Sequence, residues 1–209
     1  MRLGYPFVDT GSMYRAVTWL ALQRGVDVAD HAGLAALAEG AAPRIGPPPP
    51  DGREACSINV GVTDVTPFLR DPEVERSVSA VSAVPAVRRA LVRLQREAAP
   101  PDVVMAGRDI GTVVLPDAAL KVYLDATNEV RAARRRAELA QKGRGESLER
   151  VREDLARRDR IDSERADSPL RPADDAVCIV TDALSLDGVV ERIIRLAVER
   201  GAVETEPAR

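Results

Sequence analysis

Short apolar runs alternate with amphipathic helical segments, and this alternation constrains the fold more than any other feature of the sequence. The runs lie at residues 6–9, 103–106, 121–125 and 176–180. Helical patterns follow three of them and begin near Met13, Thr127 and Ser185. Such alternation predicts an α/β fold in which a parallel sheet carries helices on both faces. Continuous apolar runs further predict strands that are buried on both faces.

A proline-rich segment and a change of period interrupt this alternation. Segment 46–52 contains four consecutive prolines, which disfavour a helix or a central strand. We expect a stiff linker there, and a polyproline ligand for a partner protein is the alternative. Alternating residues at 58–62 predict a half-buried strand, and Asp71-Pro72 and Pro85 are typical helix starts. The predicted organisation is a core of residues 1–44 and 100–209 with a small α+β insert of residues 45–99.

The composition favours a globular protein and argues against several other classes of protein. With 209 residues, of which 45% are hydrophobic, the chain is long enough to bury a core. A net charge of −3 gives no reason to expect a nucleic-acid binder. We expect a cytoplasmic protein without a membrane span, since no long apolar run or signal-peptide pattern occurs. The single His31 argues against a histidine-based zinc site, and Cys56 and Cys178 are expected to be free buried thiols.

Polar side chains follow three of the predicted strands. They lie in segments 9–15 and 107–112 and at Asp125. Because ligands of parallel sheets bind beyond the carboxyl ends of the strands, these residues are candidates for a binding site. Polar turns are the simpler interpretation of any one segment. Arg15 and Arg108 at two such ends favour an anion site, since a guanidinium donates two parallel hydrogen bonds to a phosphate.

Two further arginine clusters lie in the second half of the chain. Arg158, Asp162 and Arg165 fall at i, i+4 and i+7, so that in a helix the carboxylate would lie between two guanidiniums. A solvated face with weak ion pairs is the alternative. The predicted helix after Thr127 carries arginines at 131 and 134–136. It is either a lid that closes on a polyphosphate or a solvated basic helix, and both interpretations stay open.

Segments 9–15, 77–88, 107–118 and 158–170 together resemble the signature segments of bacterial cytidylate kinases, which belong to the P-loop nucleoside monophosphate kinases. The resemblance extends to about residue 200, and segment 77–88 lies in the insert that distinguishes this family. It implies transfer of the γ-phosphoryl group of ATP to CMP or dCMP with Mg²⁺ as cofactor. It also implies a monomer that binds no nucleic acid and no membrane.

The resemblance further implies a role for individual residues. The cytosine ring would be bound by Ser79, Arg88 and Asp109. The phosphate would be bound by Arg15, Arg108 and Arg165. The sugar would be bound by Arg158 and Asp162. The same CMP pocket is completed by Asp9, Thr10 and Tyr14. The lid would span about 127–168, and the catalytic set would be Arg108, Asp109, Arg131, Arg135 and Arg158. Phosphoryl transfer needs mainly positioning and charge neutralisation, which arginines and Mg²⁺ supply.

The sequence departs from the family pattern in two places. It contains no G-x-x-x-x-G-K-[ST] loop, so no residue is assigned to hold the ATP phosphates or a metal. We therefore expect a strand, loop and helix of roughly 25 residues to be missing before Met1. Two strands would then face each other across a gap, which predicts poor stability. Ala106 also stands where the family usually carries an acidic residue.

Three functions are compatible with these features. The first is a working cytidylate kinase whose true start lies upstream. The second is a degenerate kinase that binds CMP without turnover. The third is an interaction domain that binds no nucleotide, for which the set of Arg15, Arg108 and Arg165 would have no role.

Overall fold

The computed structural model describes residues 2–49, 54 and 56–204. The strands are β1 Phe7–Asp9, β2 Arg44–Gly46, β3 Ser57–Val60, β4 Thr63–Asp64, β5 Val104–Ala106, β6 Val122–Asp125 and β7 Val177–Val180. The helices are α1 Thr10–Gln23, α2 His31–Ala41, α3 Pro72–Ala83, α4 Pro85–Glu97, α5 Asn128–Gln141, α6 Leu148–Glu164 and α7 Leu186–Glu199. A short π-helical turn spans Ile110–Val114. The predicted α/β class is confirmed.

Local signals account for most helix boundaries. Thr127 caps α5 by accepting a hydrogen bond from the Val130 amide at 3.4 Å, and Ser185 caps α7 in the same way at 3.1 Å. Gly143 follows α5 with a φ of 73°, a left-handed conformation that suits glycine at a helix end. Pro72 and Pro85 open α3 and α4, where a missing amide hydrogen costs nothing.

The parallel strands form two separate pairs instead of one sheet. β1 pairs with β5, with Asp9 opposite Ala106, and β6 pairs with β7. In the described residues no strand joins the two pairs. The prediction of strands buried on both faces is wrong, because Val104, Leu124 and Val180 are 37%, 53% and 62% exposed.

The main hydrophobic core lies around α1. It includes Met13 and Val17 of α1, Leu34 of α2, Ile58 of β3 and Leu91 of α4, all at most 1% exposed. The core therefore takes residues from both sides of position 45. The antiparallel strands β2, β3 and β4 form a third sheet at its edge. This packing fixes α3 and α4, which carry predicted site residues, against the helix that carries Tyr14 and Arg15.

Helices α5 and α6 pack against each other through a small apolar cluster of their own. Ala132, Leu139 and Val151 are buried there, and Leu155 packs against them. The two helices make up most of the predicted lid, 127–168. Its division from the core, like that of the insert, stays a prediction.

Three smaller expectations have mixed outcomes. Of the proline-rich linker, Pro50 to Gly52 lie outside the described residues. Cys56 is a buried free thiol as expected, whereas Cys178 is exposed. Over the residues that the structure describes, no helix combines the length and apolar character that a membrane-spanning segment needs.

Candidate active site

The carboxyl ends of β1 and β5 come together at the first turn of α1. Asp9 caps this helix: its carboxylate accepts hydrogen bonds from the Gly11 amide at 3.0 Å and the Ser12 hydroxyl at 3.1 Å. Thr10 Oγ1 donates to the carbonyl of Ala106 at 2.9 Å. A Cβ at position 107 would collide with Thr10 Oγ1, so glycine is required there. This close approach brings Arg108 and Asp109 beside α1.

Arg15 lies one turn into α1 with unused hydrogen-bonding capacity. Its nearest carboxylate is that of Asp9, 3.8 Å from Nη1. The buried Nε has no hydrogen-bond partner among the described residues. Burial lowers the pKa of the Arg15 guanidinium, and the positive charges of Arg70 and, more weakly, Arg108 add to this effect. An anion between these arginines would relieve both the repulsion and the unsatisfied donor.

Arg88 and Asp109 form a buried ion pair. The two residues are 2% and 4% exposed, and Arg88 Nη2 donates to Asp109 Oδ2. Arg88 Nη1 also donates to the Ser82 carbonyl at 3.1 Å, and its guanidinium carbon lies 5.3 Å from the centre of the Tyr14 ring. The pair thus places hydrogen-bond donors and acceptors side by side.

Asp162 contacts two arginines that lie far from each other in the sequence. Its carboxylate accepts from Arg108 Nε and from Arg165 Nη1, the latter at 3.1 Å. The expectation that Asp162 lies between Arg158 and Arg165 is wrong for Arg158. The reason is that Arg158 Nη2 turns to the Glu75 carbonyl, at 2.6 Å, and that α6 ends at Glu164.

The ion pairs of Arg88 and Asp162 lie next to each other. Burial lowers the pKa of the Arg165 guanidinium, and the charge of Arg88 lowers it further while Asp162 and Asp109 oppose this. Arg165 Nη2 and Arg88 Nε are buried without a partner in the described part of the chain. Both arginines therefore keep donors for a ligand that lies between them.

The arginines of the predicted lid have acidic or carbonyl partners. Arg131 forms a two-pronged pair with Asp159 at 2.5 and 3.0 Å. Arg134 donates to Thr181, and Arg135 donates to Glu75 and to Glu138. The charges of Arg131 and Arg135 are thus balanced by carboxylates, whereas Arg134 donates to neutral oxygens. This network leaves open whether the helix closes on a polyphosphate.

Ser79 is the predicted site residue with the weakest structural link to the others. It is half-buried on α3, and its carbonyl accepts from the Ser82 hydroxyl at 3.1 Å. Ser82 in turn accepts from Arg88 through its own carbonyl. The serine is therefore joined to the Arg88–Asp109 pair through the backbone at the end of α3.

Sequence reasoning missed two buried polar residues beside this site. Gln95 is 1% exposed on the same face of α4 as Arg88, and both its amide atoms lack partners in the residues described. Glu75 is 7% exposed on α3 and accepts from two lid arginines. Each interrupts a stretch of core-facing residues, which is a signal that a search for buried polar groups would detect.

Tyr14 gives a testable pH dependence. Burial raises the pKa of its phenol to about 12, against the opposing charge of Arg88. The folded state therefore holds the phenol proton more tightly than the unfolded state, whose value is 10.0. This stabilisation is fully present below pH 10 and is lost as pH rises through about 12. We expect the unaltered protein to lose about 2–3 kcal/mol more than Tyr14→Phe over that interval.

Denaturant unfolding of both proteins between pH 7 and pH 12 measures this difference. At pH 7 Tyr14→Phe should lose at most about 1 kcal/mol of stability, since the phenol faces the Gln95 side chain and one hydrogen bond contributes about that much. Parallel curves up to pH 12 would show that Tyr14 ionises as an exposed phenol does.

Comparison with known proteins identifies the family. The family model described as Cytidylate kinase matches residues 1–199. The chain is 46% identical over 204 residues to a cytidylate kinase of Rhodococcus opacus (strain B4), covering 97% of this chain and 87% of the relative. It is 45% identical over 200 residues to that of Geobacillus kaustophilus (strain HTA426), covering 95% and 88%.

A longer relative shares the same region. The bifunctional pantoate ligase/cytidylate kinase of Synechococcus elongatus is 44% identical over 208 residues. The match takes in 99% of this chain but only 40% of that relative's length. The two cytidylate kinases, in contrast, are covered over 87% and 88% of their own length. The chain belongs to the cytidylate kinase family.

Proposed function

We propose that this chain catalyses transfer of the γ-phosphoryl group of ATP to CMP or dCMP, giving CDP or dCDP. One observation carries the proposal. Arg15, beside Asp9, and Arg88 and Arg165, beside Asp109 and Asp162, each keep a buried nitrogen without a protein partner in the described residues. An unpaired buried donor is costly unless a ligand satisfies it, and a nucleotide supplies phosphate and base acceptors.

The cytosine ring is assigned to Arg88, Asp109 and Ser79. Cytosine has an amino donor on one side of its polar edge and acceptors on the other. Asp109 is acceptor-only when ionised and Arg88 is donor-only, so the pair matches this edge. Uracil has a carbonyl oxygen, an acceptor, where cytosine has the amino donor. That oxygen would face the Asp109 carboxylate. This contrast supports preference for cytidine nucleotides over uridine nucleotides.

The phosphate and sugar are assigned to the neighbouring charged residues. Arg15, Arg108 and Arg165 would hold the CMP phosphate, because planar guanidiniums donate paired hydrogen bonds to phosphate oxygens. Asp162 orients two of them. Its carboxylate would also accept from the sugar hydroxyls, to whose oxygens Arg158 would donate. Asp9, Thr10 and Tyr14 complete the wall of this pocket.

In the reaction, an oxygen of the CMP phosphate forms a bond to the γ-phosphorus as the bond to the ADP oxygen breaks. The transferred group is stabilised mainly by position and by positive charge. Arg108 and Asp109 would fix the acceptor, and Arg131, Arg135 and Arg158 would approach the transferred phosphoryl group from the lid. No general base is needed to explain the arrangement, because the acceptor phosphate is already an anion.

Mg²⁺ fits this site as an ion that enters with ATP. In the described residues no three acidic, histidine or cysteine side chains cluster as a metal cage. Mg²⁺ commonly keeps several waters and takes one or two carboxylates plus phosphate oxygens. Asp9, whose carboxylate lies at the end of β1 beside the first turn of α1, would supply such a carboxylate. When bound, Mg²⁺ supplies charge neutralisation on the ATP phosphates.

The proposal includes an organisation of the chain around this site. Residues 1–44 and 100–209 would form the core, 45–99 the insert that binds the nucleoside monophosphate, and about 127–168 the lid. The protein would act as a cytoplasmic monomer. No residues are assigned to a P-loop, because the 209 residues contain no G-x-x-x-x-G-K-[ST] sequence.

Calorimetric titration with CMP, dCMP and UMP, followed by an ADP-release assay with ATP and Mg²⁺, tests the function. We expect CMP to bind about 10- to 100-fold more tightly than UMP, because the mismatch leaves a buried polar group unpaired. ADP release should depend on CMP. Failure to bind CMP would contradict the acceptor site, whereas CMP binding without ADP release would contradict phosphoryl transfer alone.

A further inference from the structure

Glu75 connects the insert to the lid through a single buried side chain. The residue lies on α3 and is 7% exposed. Its carboxylate accepts from Arg135 Nη2 of α5 at 2.5 Å and from Arg144 Nη1, beyond the end of α5, at 3.1 Å. Its backbone carbonyl accepts from Arg158 Nη2 of α6 at 2.6 Å. One residue of the insert therefore binds arginines from three parts of the predicted lid.

The charge of Glu75 is maintained by these partners. Burial by itself raises the pKa of the carboxyl group, but the charge and hydrogen bonds of Arg135 and Arg144 outweigh it and leave the pKa below its ordinary value. Glu75 is thus an anion at neutral pH. A fixed anion among arginines holds their guanidiniums in a defined direction, as an orienting carboxylate does.

The cluster is too small to be a second nucleotide site. A cavity of about 90 Å³ lies between α3, α5 and α6, with Glu75, Arg135, Arg144 and Arg158 in its wall. Pockets for ligands of drug size usually enclose about 300–1,000 Å³. The contact is therefore a junction between elements, and its effect must pass through the arginines that it holds.

The position of Glu75 links this junction to the acceptor side of the proposed site. On α3, Glu75 precedes Ser79 by one helical turn, and Ser79 is joined to Arg88 through Ser82. Arg135 and Arg158 are the lid residues assigned to the transferred phosphoryl group. Glu75 thus lies between the helix that would bind the base and the arginines that would act on the phosphate.

We propose that Glu75 is a positioning residue for phosphoryl transfer, whose carboxylate fixes Arg135 and Arg144 and joins the filled acceptor site to the lid. The inference rests on the proposed function. Glu75 is not among the residues assigned to CMP or ATP, and a side-chain substitution keeps the backbone carbonyl that holds Arg158. Replacing the side chain should therefore impair the transfer step and the response of the lid to CMP, while leaving CMP affinity nearly unchanged.

The test compares Glu75→Ala, Glu75→Gln and Glu75→Asp with the control Glu73→Gln, an exposed acid on the same helix. For Glu75→Ala we expect kcat to fall about 100-fold, as misplacement of positioned groups does. KM for CMP should stay within about threefold. The kcat of Glu75→Gln should be as low as that of Glu75→Ala, and Glu75→Asp should recover part of the loss. The kcat of Glu73→Gln should match that of the unaltered chain.

Hydrogen exchange of segment 142–150 gives a readout that needs no turnover. CMP should slow exchange there in the unaltered chain but not in Glu75→Ala, although both bind CMP equally in a calorimetric titration. Lower thermal stability of Glu75→Ala with normal kcat and normal CMP protection would assign Glu75 a structural role and overturn the inference alone. Absence of CMP binding by the unaltered chain would instead overturn the proposed function.

Discussion

Arg88→Ala is expected to lower the free energy of unfolding by about 3–5 kcal/mol, because it leaves a charged partner buried without compensation. Asp109 is 4% exposed, and Arg88 is its ion-pair partner. The substitution also removes the hydrogen bond to the Ser82 carbonyl and the contact with the Tyr14 ring. CMP affinity should fall by about 100-fold or more, since a charged hydrogen-bonding group is lost from the proposed base site.

A second variant separates stability from recognition. Replacing both partners, as in Arg88→Met with Asp109→Leu, leaves neither member of this ion pair buried without the other and should regain most of the stability. It should not regain CMP affinity, because the polar groups for the ring are gone. Arg89→Ala, at an exposed position of the same helix, is the matched control for both measurements.

The cytosine assignment predicts a difference between the two nucleotides. Arg88→Ala should weaken CMP use far more than ATP affinity, measured as KM for each substrate and as CMP affinity by calorimetry. Equal effects on CMP and ATP would contradict the assignment of Arg88 to the base. Unchanged CMP affinity in the destabilised variant would show that the buried pair serves folding alone.

The helices could be predicted from sequence because their signals are local. Thr127 and Gly143 mark the ends of α5 within a residue, and Ser185 marks the start of α7. These residues act through their own backbone conformation and nearest amides, so neighbouring sequence contains the whole cause.

The burial of the strands could not be predicted in the same way. An apolar run such as 103–106 indicates that a strand has apolar side chains on both faces. It does not indicate which elements cover those faces. Val104 and Val180 are exposed because their strands form two separate pairs. Burial depends on neighbours that are distant in the chain, and alternation in the sequence contains no information on them.

The residues of the site were predicted more fully than their contacts. Arg108 and Asp162 both stood in the predicted set, yet their direct bond spans 54 positions and was not foreseen. Helical spacing suggested Arg158 as the partner instead, since it considers only residues on one helix. Glu75 stayed unnoticed because its partners lie 60 to 83 positions away.

Asp162→Asn is expected to reduce CMP affinity by about 100-fold, because it removes the charge that orients Arg108 and Arg165. The Asp162 and Arg165 side chains are 5% and 4% exposed, whereas Arg108 is 48% exposed. The energetic effect should therefore come mainly from the Arg165 side, where solvent cannot replace the lost anion. Asp154→Asn, which alters a solvated pair on the same helix, is the control.

Inorganic phosphate distinguishes orientation from simple charge. Asp162 competes with a phosphate for Arg108 and Arg165, so its neutralisation should leave phosphate affinity unchanged or raise it, even as CMP affinity falls. Phosphate should also raise the melting temperature of Asp162→Asn more than that of the unaltered chain, because it binds the folded state and neutralises the unpaired arginines. Calorimetry with CMP and with phosphate measures the two affinities. Melting curves without phosphate and at saturating phosphate measure the shift in melting temperature. Parallel losses of CMP and phosphate affinity would instead mean that Asp162 maintains the local fold and does not orient the arginines for a nucleotide.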